Sequence, residues 1–485
     1  MSTHHELQNP FSVLSQPDQQ PAKLPPATPV FVLRGHASPI HALHFYSKNS
    51  RLISGDGDGW VIVWNMTTKR AVAVWKAHES AVLDVRGLTF GSDGERDGNS
   101  EERWVFTHGR DHKLRVWRLN ASDEESLSKD LPVDGLTSAK QRNEPWLFHS
   151  LAVNALNFCA FALCRVFPSI HQAPNTQSPE LKDQGAPQPP VFFLAVPNAL
   201  NTGGVDIFHL PSEKRVSTIS PDPSVNTGMV MALELFRTPD GTLCLISGYE
   251  DGRAMIHVQR GPGPSEYTIS PGTTNNPPTW TWERVYLNHP HSQPVLSLAV
   301  SPSPNSSNPT YFITSSADAI ISKHPVISKS PAHPTKAEDL RPLKVVNSKH
   351  AGQQGLRIRN DGKIFATAGW DHRVRVYSCK TMRELAVLKW HKEGCYAVAF
   401  AEVDSNGEAS AAGGKSTETD NADTAGEARI SNPDKDTRKS TSLSQQLPPL
   451  GPLAAIKQRR GEKAQFTHWL AAGAKDGKIS LWDIY

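Results

Sequence analysis

The residues of this chain that could do chemistry are histidines, carboxylates and one basic run. His36, His78, His350 and His391 have the side chain of a general base or a metal ligand. Asp56-Gly57-Asp58-Gly59 has the look of the start of a calcium loop. An EF-hand loop needs a third acid and a Glu at its twelfth place, and counting from Asp56 that place is Thr67. The run therefore reads as a tight turn. The sequence contains no Gly-x-Ser-x-Gly, His-Glu-x-x-His or phosphate-loop pattern. Lys457-Gln458-Arg459-Arg460-Gly461-Glu462-Lys463 has the composition of a nuclear import signal, or of a solvated loop.

The histidines lose their catalytic appeal once their spacing is set beside that of the other polar residues. A hydroxyl residue, an Asp four places on and an aromatic six places further recur as Ser54…Asp58…Trp64, Thr107…Asp111…Trp117 and Thr367…Asp371…Tyr377. Ser247…Asp251…His257 and Thr314…Asp318…His324 keep the offsets but end in His, and Ala472…Asp476…Trp482 lacks the hydroxyl. A degraded copy fits at residues 202–208. Fixed offsets over so many copies mean a structural repeat. A buried Asp is tolerated only when it is paired. With the upstream histidines, the copies are similar to the WD40 repeat, in which the His, hydroxyl, Asp and aromatic of one blade form a buried hydrogen-bonded chain. That resemblance implies the structural sets His36, Ser54, Asp58 and Trp64; His78, Thr107, Asp111 and Trp117; and His350, Thr367, Asp371 and Tyr377. Four short alternating strands per repeat, bounded by Gly, Asp, Asn and Pro, complete each unit. Blade 3 draws its strands from residues 154–161, 191–196 and 205–210.

These repeats resemble the WD40 repeat. The fold class expected is all-β: a seven-bladed propeller over residues 29–485, after a polar, Pro-rich tail at 1–28 with no secretory pattern. The last repeat lacks an outer strand, and residues 30–33 form an orphan strand. Pairing the orphan with residues 479–482 closes the ring and removes two open edges. Antiparallel strands reverse at each connection. The insertions at 91–103, 120–145, 168–190, 261–279, 302–309, 325–341 and 402–468 therefore all leave one face of the disc. The longest, about 404–463, reads as disordered from its Ser, Ala, Gly, Asp and Lys content. The opposite face keeps short turns. Arg110, Tyr249, Trp370 and Lys475 lie in those turns and are the candidate partner-binding residues, with Trp60 read as packing locally.

The formal net charge is +3 with acids and bases nearly equal, which gives no case for nucleic acid or a membrane as the main partner. No apolar run reaches the ~20 residues that cross a bilayer. Five cysteines without metal spacing read as reduced and buried. No cofactor or metal is called for. A propeller enzyme would need acids or His converging on the central channel, and none shows outside the repeat positions. A cullin-ligase substrate receptor would show Trp-Asp-x-Arg at a blade end. Trp64-Asn65-Met66-Thr67, Trp117-Arg118-Leu119-Asn120 and Trp482-Asp483-Ile484-Tyr485 do not match it.

A closer likeness lies in Pro29-Val30-Phe31-Val32-Leu33-Arg34-Gly35-His36, His108-Gly109-Arg110-Asp111, Ala366-Thr367-Ala368-Gly369-Trp370-Asp371 and Leu470-Ala471-Ala472-Gly473-Ala474-Lys475-Asp476-Gly477. These resemble the fungal ASTRA-associated protein 1 family, related to G-protein β-subunit-like WD proteins. The resemblance implies a nuclear, non-enzymatic scaffold subunit of an assembly linked to chromatin remodelling. It implies as partners a co-chaperone trio serving phosphatidylinositol-3-kinase-like kinases, a kinase-like pseudokinase and RuvB-like AAA+ ATPases.

Overall fold

A computed structural model describes residues 27–90, 101–135, 142–154, 159–166, 190–261, 280–303, 308–327, 341–403 and 452–484. The tail at 1–26 and most of the inserted residues, including 404–451, lie outside it, as does the disorder expected for them. The strands are β1 (Phe31–Arg34), then β2 (Ile40–Tyr46), β3 (Arg51–Asp56), β4 (Trp60–Asn65) and β5 (Arg70–Lys76) of blade 1. Blade 2 holds β6 (Val82–Phe90), β7 (Glu102–Gly109), β8 (Lys113–Arg118) and β9 (Trp146–Ala152). Blade 3 holds β10 (Ala162–Val166), β11 (Val191–Pro197), β12 (Val205–Leu210) and β13 (Lys214–Ile219). Blade 4 holds β14 (Val230–Arg237), β15 (Leu243–Tyr249), β16 (Ala254–Arg260) and β17 (Thr281–Asn288). Blade 5 holds β18 (Val295–Val300), β19 (Tyr311–Ser316), β20 (Ile320–Pro325) and β21 (Lys344–Asn347). Blade 6 holds β22 (Gln353–Ile358), β23 (Ile364–Gly369), β24 (Val374–Ser378) and β25 (Glu384–Leu388). Blade 7 takes β26 (Cys395–Phe400), β27 (Trp469–Ala474) and β28 (Lys478–Asp483) from one end of the chain.

These make seven four-stranded antiparallel sheets, and blade 7 has the order β1-β28-β27-β26. The N-terminal strand therefore closes the ring, with Phe31 opposite Leu481 and Arg34 opposite Lys478. Leu33 is fully buried in the core that blade 7 shares with blade 1. Each sheet packs on both faces, so the middle strands read as nearly continuous apolar runs, such as Val61-Ile62-Val63. The large side chains Trp75, Trp104, Phe192 and Phe365 fill the spaces between blades.

Two expectations need correction. The first strand of blade 3 is Ala162–Val166, not 154–161, because Ala162 to Val166 pair with Ala195 to Val191. The run from Ala160 to Val166 is apolar but for Arg165, so composition alone could not fix its register. The end of the stretch read as disordered is α1, a helix from Pro452 to Phe466. Ala, Gln, Lys, Arg and Glu are strong helix formers, which outweighs the polar composition. The helix end is tied down. Ala464 is buried and its carbonyl accepts the Trp469 indole N–H at 2.9 Å, while Asn49 Nδ2 donates to the Gln465 carbonyl.

Candidate protein interface

Consider first the repeat polar sets, which shape the face with short turns. In blade 2, Trp117 Nε1 donates to Thr107 Oγ1 at 3.0 Å, and His78 lies 2.8 Å from that hydroxyl and 2.9 Å from Asp111. Every group is satisfied if His78 donates Nδ1–H to Asp111 and accepts from Thr107 at Nε2. Burial would raise the Asp111 carboxyl, but the hydrogen bond from His78, the Glu79 amide and the Arg115 charge outweigh it and hold it at about 2.

Blade 1 builds the same chain with a different acid. His36 Nδ1 lies 2.7 Å from Asp56, not Asp58, and its Nε2 lies 2.7 Å from Ser54, which accepts from Trp64 Nε1. Asp58 is exposed and accepts from the Ser38 hydroxyl. The reason lies in the direction of the position two after the hydroxyl residue. At that place in blade 2, a Cβ on Gly109 would fall 2.3 Å from His78 Nδ1 and 2.8 Å from the Asp111 carboxylate. That position aims at the His, so an Asp there reaches it directly.

Blade 6 departs further. His350 is exposed and 3.6 Å from Asp371, outside hydrogen-bond range, and Thr367 donates instead to Gln353 Oε1 at 2.6 Å. Asp371 is held by two bonds from the buried Arg375, and Tyr377 is buried in a stack on Phe365. His36, His78 and His391 each stand four residues before their first strand, whereas His350 stands three before. That offset explains its exclusion. It also finds His291, four before Val295, which the sequence reading missed. His291 bonds Thr314 at 2.8 Å and Asp318 at 3.3 Å, and His324 takes the indole's place on Thr314 at 3.1 Å. The complete sets are those of blades 1, 2 and 5.

These sets hold a belt of turns. In six blades the residue just before the repeat Asp donates its backbone N–H to the carbonyl of the residue just before that blade's first strand. The pairs are Gly57 to Pro39, Arg110 to Ala81, Glu250 to Met229, Ala317 to Pro294, Trp370 to Gly352 and Lys475 to Gly394, at 2.8–3.1 Å. Arg110, Trp370 and Lys475 occupy this belt and are exposed. Tyr249 does not. It is one residue short, 3% exposed, and its hydroxyl bonds Ser247, so it is a core residue and Glu250 holds the belt position in blade 4. Trp60 is half-buried, with the Arg142 guanidinium over its ring.

Trp370 is 47% exposed yet fixed. Its ring lies so close over Gly352 that a Cβ there would approach Cε3 to 2.2 Å, and Gly352 sits at φ +74°, where glycine is favoured. Its Nε1 donates to Gln354 Oε1 at 2.7 Å. Gln354 also lines the mouth of a central cavity of about 100 Å³, with His41 and Tyr396, which stack at 5.4 Å. Burial first, then Arg110, hold His41 below its ordinary value against the pull of Asp56.

The cavity wall corrects a further expectation. Acids and His do converge on the axis. Asp84 lies 3.2 Å from Arg86 and 3.8 Å from Arg357, with Glu234 3.9 Å from Arg86. Burial pulls His44 to about 3, and Arg86 and Arg357 add to it. Burial raises Glu234, opposed by the same two guanidiniums. Two carboxylates face two guanidiniums, and the network braces blades 2, 4 and 6 across the channel. Arg86, Glu234 and Arg357, like His44, each stand four residues after the start of their blade's first strand. One equivalent position filled by different residue types thus builds the network, with Asp84 two places earlier on its strand. Among the described residues, no group of His, Cys, Asp or Glu has metal-binding geometry. No described helix is long and apolar enough to cross a membrane. All five cysteines are free and buried.

Residues 29–482 match the profile of a family described as ASTRA-associated protein 1. The chain is similar to the ASTRA-associated protein 1 of Penicillium rubens, at 52% identity over 95% of this chain and 98% of that protein. It is 51% identical to that of Aspergillus niger, with the same coverage of both. Against that of Schizosaccharomyces pombe it is 32% identical over 77% of this chain and 93% of the relative.

Proposed function

The chain belongs to the ASTRA-associated protein 1 family, and from that premise we propose that it is a non-catalytic WD40 scaffold subunit of the ASTRA complex. Its role there is in chromatin remodelling and in co-chaperone assembly of phosphatidylinositol-3-kinase-like kinases, and its compartment is the nucleus. The partners in this reading are the co-chaperone trio, the kinase-like pseudokinase and the RuvB-like AAA+ ATPases. The observation that carries it is Trp370, an exposed indole clamped by Gly352 and Gln354 on a belt of rigid turns. A large aromatic side chain already fixed loses little freedom on association, which is the property of an interface anchor. The charged groups on the channel axis neutralise one another, which supports a bracing role. The test is purification of the tagged chain from its native cells with mass spectrometry of what accompanies it, and fluorescence of the same chain for compartment. Recovery of the co-chaperone and ATPase subunits is expected. Recovery of a cullin and its adaptor in their place would overturn the reading.

A further inference from the structure

We infer that the Trp370 side of the belt receives an acidic segment of a partner protein that carries a bulky apolar side chain. This rests on the scaffold reading above and specifies the partner's chemistry. The geometry is continuous. The backbone of Gly394 packs against Trp370, since a Cβ there would lie 3.2 Å from its carbonyl, and the Gly394 carbonyl accepts the Lys475 N–H at 2.9 Å. On the other side the Gly352 N–H donates to the Ala317 carbonyl at 3.1 Å. Ala317 is a small neighbour and leaves the outer part of the indole uncovered. Trp370 is thus an apolar platform with a shallow step on one side and a cation on the other.

The charges around that platform have one sign in excess. Lys349, Lys392 and Lys475 are exposed and Arg373 is half-buried, all in the turns that meet at Trp370. Among the described residues, none of the four has a carboxylate within ion-pair distance. The neighbouring acids are already engaged, Asp371 by Arg375 at 2.6 Å and Asp476 by Lys478 at 2.9 Å. Glu393 is the one exposed carboxylate in these turns. Four cations against one free carboxylate, around a fixed indole, select a segment with acidic residues flanking an aromatic or branched apolar anchor. Such charges act through the association rate and lose effect as salt screens them.

The test uses the full chain and its variant Arg373→Glu, Lys392→Glu, Lys475→Glu. The probe is a labelled synthetic peptide of Asp and Glu around Leu and Phe, followed by fluorescence anisotropy. Matched controls replace the acids by Lys or the apolar residues by Ser. The acidic apolar peptide should bind the parent chain, weaken at least about tenfold from low to high salt, and weaken about tenfold or more in the charge-reversal variant, at an unchanged thermal midpoint. Trp370→Ala should weaken it as well. Equal binding of the Lys peptide, or indifference to charge reversal, overturns the inference. So does duplex DNA binding with the same residue dependence where the peptide does not bind. In the cellular purification, equal recovery of the assembly by parent and variant overturns this inference and leaves the scaffold reading standing. Failure of the parent chain to recover the assembly overturns the scaffold reading, while the peptide measurement still decides this one.

Discussion

Ser480 lies directly opposite Ala472 in the β27–β28 ladder, and its hydroxyl stands where the other blades with a His set carry theirs on the second strand. Opposed residues in an antiparallel pair share a face of the sheet. Ser480 accepts the Trp482 indole N–H at 2.8 Å and lies 2.8 Å from His391 Nε2. The place in space is kept while the place in sequence moves across one strand. Ser480→Ala should therefore cost about 1–3 kcal/mol, the penalty for two buried groups losing a partner. Adding Ala472→Ser to that variant should return part of the loss. Chemical unfolding of the single and double variants checks it. No recovery in the double variant would mean that the two positions are not equivalent.

The acid assignments in blades 1 and 6 make opposite predictions for neighbouring residues. Asp56→Ala strips His36 and the turn amides of Asp58 and Trp60 of their acceptor. Its cost should be about 1–3 kcal/mol, as should that of Asp111→Ala. Asp58→Ala removes an exposed acceptor of Ser38 and should fall within about 0.5 kcal/mol of the parent. In blade 6, Gln353→Ala should destabilise and His350→Ala should not. Thermal melting of the four blade 1 and blade 6 variants distinguishes the assignments, and a reversed order within either pair would refute that blade's set.

What the sequence made legible was whatever depends on local offsets. The strand-turn-strand unit with its Asp, the ring closure by residues 30–33 and the exposed Trp370 all follow from spacing and alternation. What it hid depends on contacts between distant residues. Ser480 for Ala472, Gln353 for His350 and the pairing of Asp84 with Arg357 are visible only once separate strands meet. One signal was present and unused. The turn between blades is rigid, so a His four residues before a first strand belongs to the set, which admits His291 and rejects His350. Tyr249 failed for the reverse reason, since a one-residue shift at the end of a strand turns a side chain from surface to core.

Ring closure gives a truncation pair. Leu33 is buried, and the Val30 N–H donates to the Leu481 carbonyl at 2.8 Å. Deleting residues 1–34 removes the whole strand and exposes the edge of β28, so insolubility or aggregation is expected. Deleting residues 1–24 spares it and should leave the thermal midpoint where it was. Soluble expression and melting of both truncations decide the matter. Equal behaviour would refute closure by β1.

Acid should unfold this protein early. Burial pulls His44 and His324 to about 3 and His108 and His257 to about 4. Between the unfolded value near 6.5 and those depressed values the unfolded chain binds protons that the fold refuses. Stability is therefore full above about pH 6.5 and falls as the pH drops, each group contributing up to about 1.4 kcal/mol per pH unit. His108 has neither ring nitrogen hydrogen-bonded among the described residues and packs against Phe161. His108→Leu should remove one proton from the slope and raise the melting point at neutral pH. Denaturant titrations across that range measure the slope, and an unchanged slope in the variant would show that His108 is protonated in the fold.

The last prediction concerns the belt. Arg110 and Trp370 sit at equivalent positions in blades 2 and 6, and both side chains leave from turns whose backbone bonds do not depend on them. Among the described residues, truncating Trp370 removes its bond to Gln354 and the contact of its ring with Gly352, and the half-buried Gln354 amide can turn to water. Trp370→Ala with Arg110→Ala should thus keep the thermal midpoint within a degree or two while co-purification of the assembly weakens about tenfold, the loss of an anchor worth about 1.4 kcal/mol or more. Tyr249→Ala serves as the contrast. That side chain is buried against β14–β16 neighbours such as Ser247 and should lower the melting point by several degrees through a core cavity. Immunoprecipitation normalised to folded protein separates the two effects. Undiminished recovery of the co-chaperone subunits by the folded double variant would sink the belt as the docking surface and transfer the search to the face that carries the insertions.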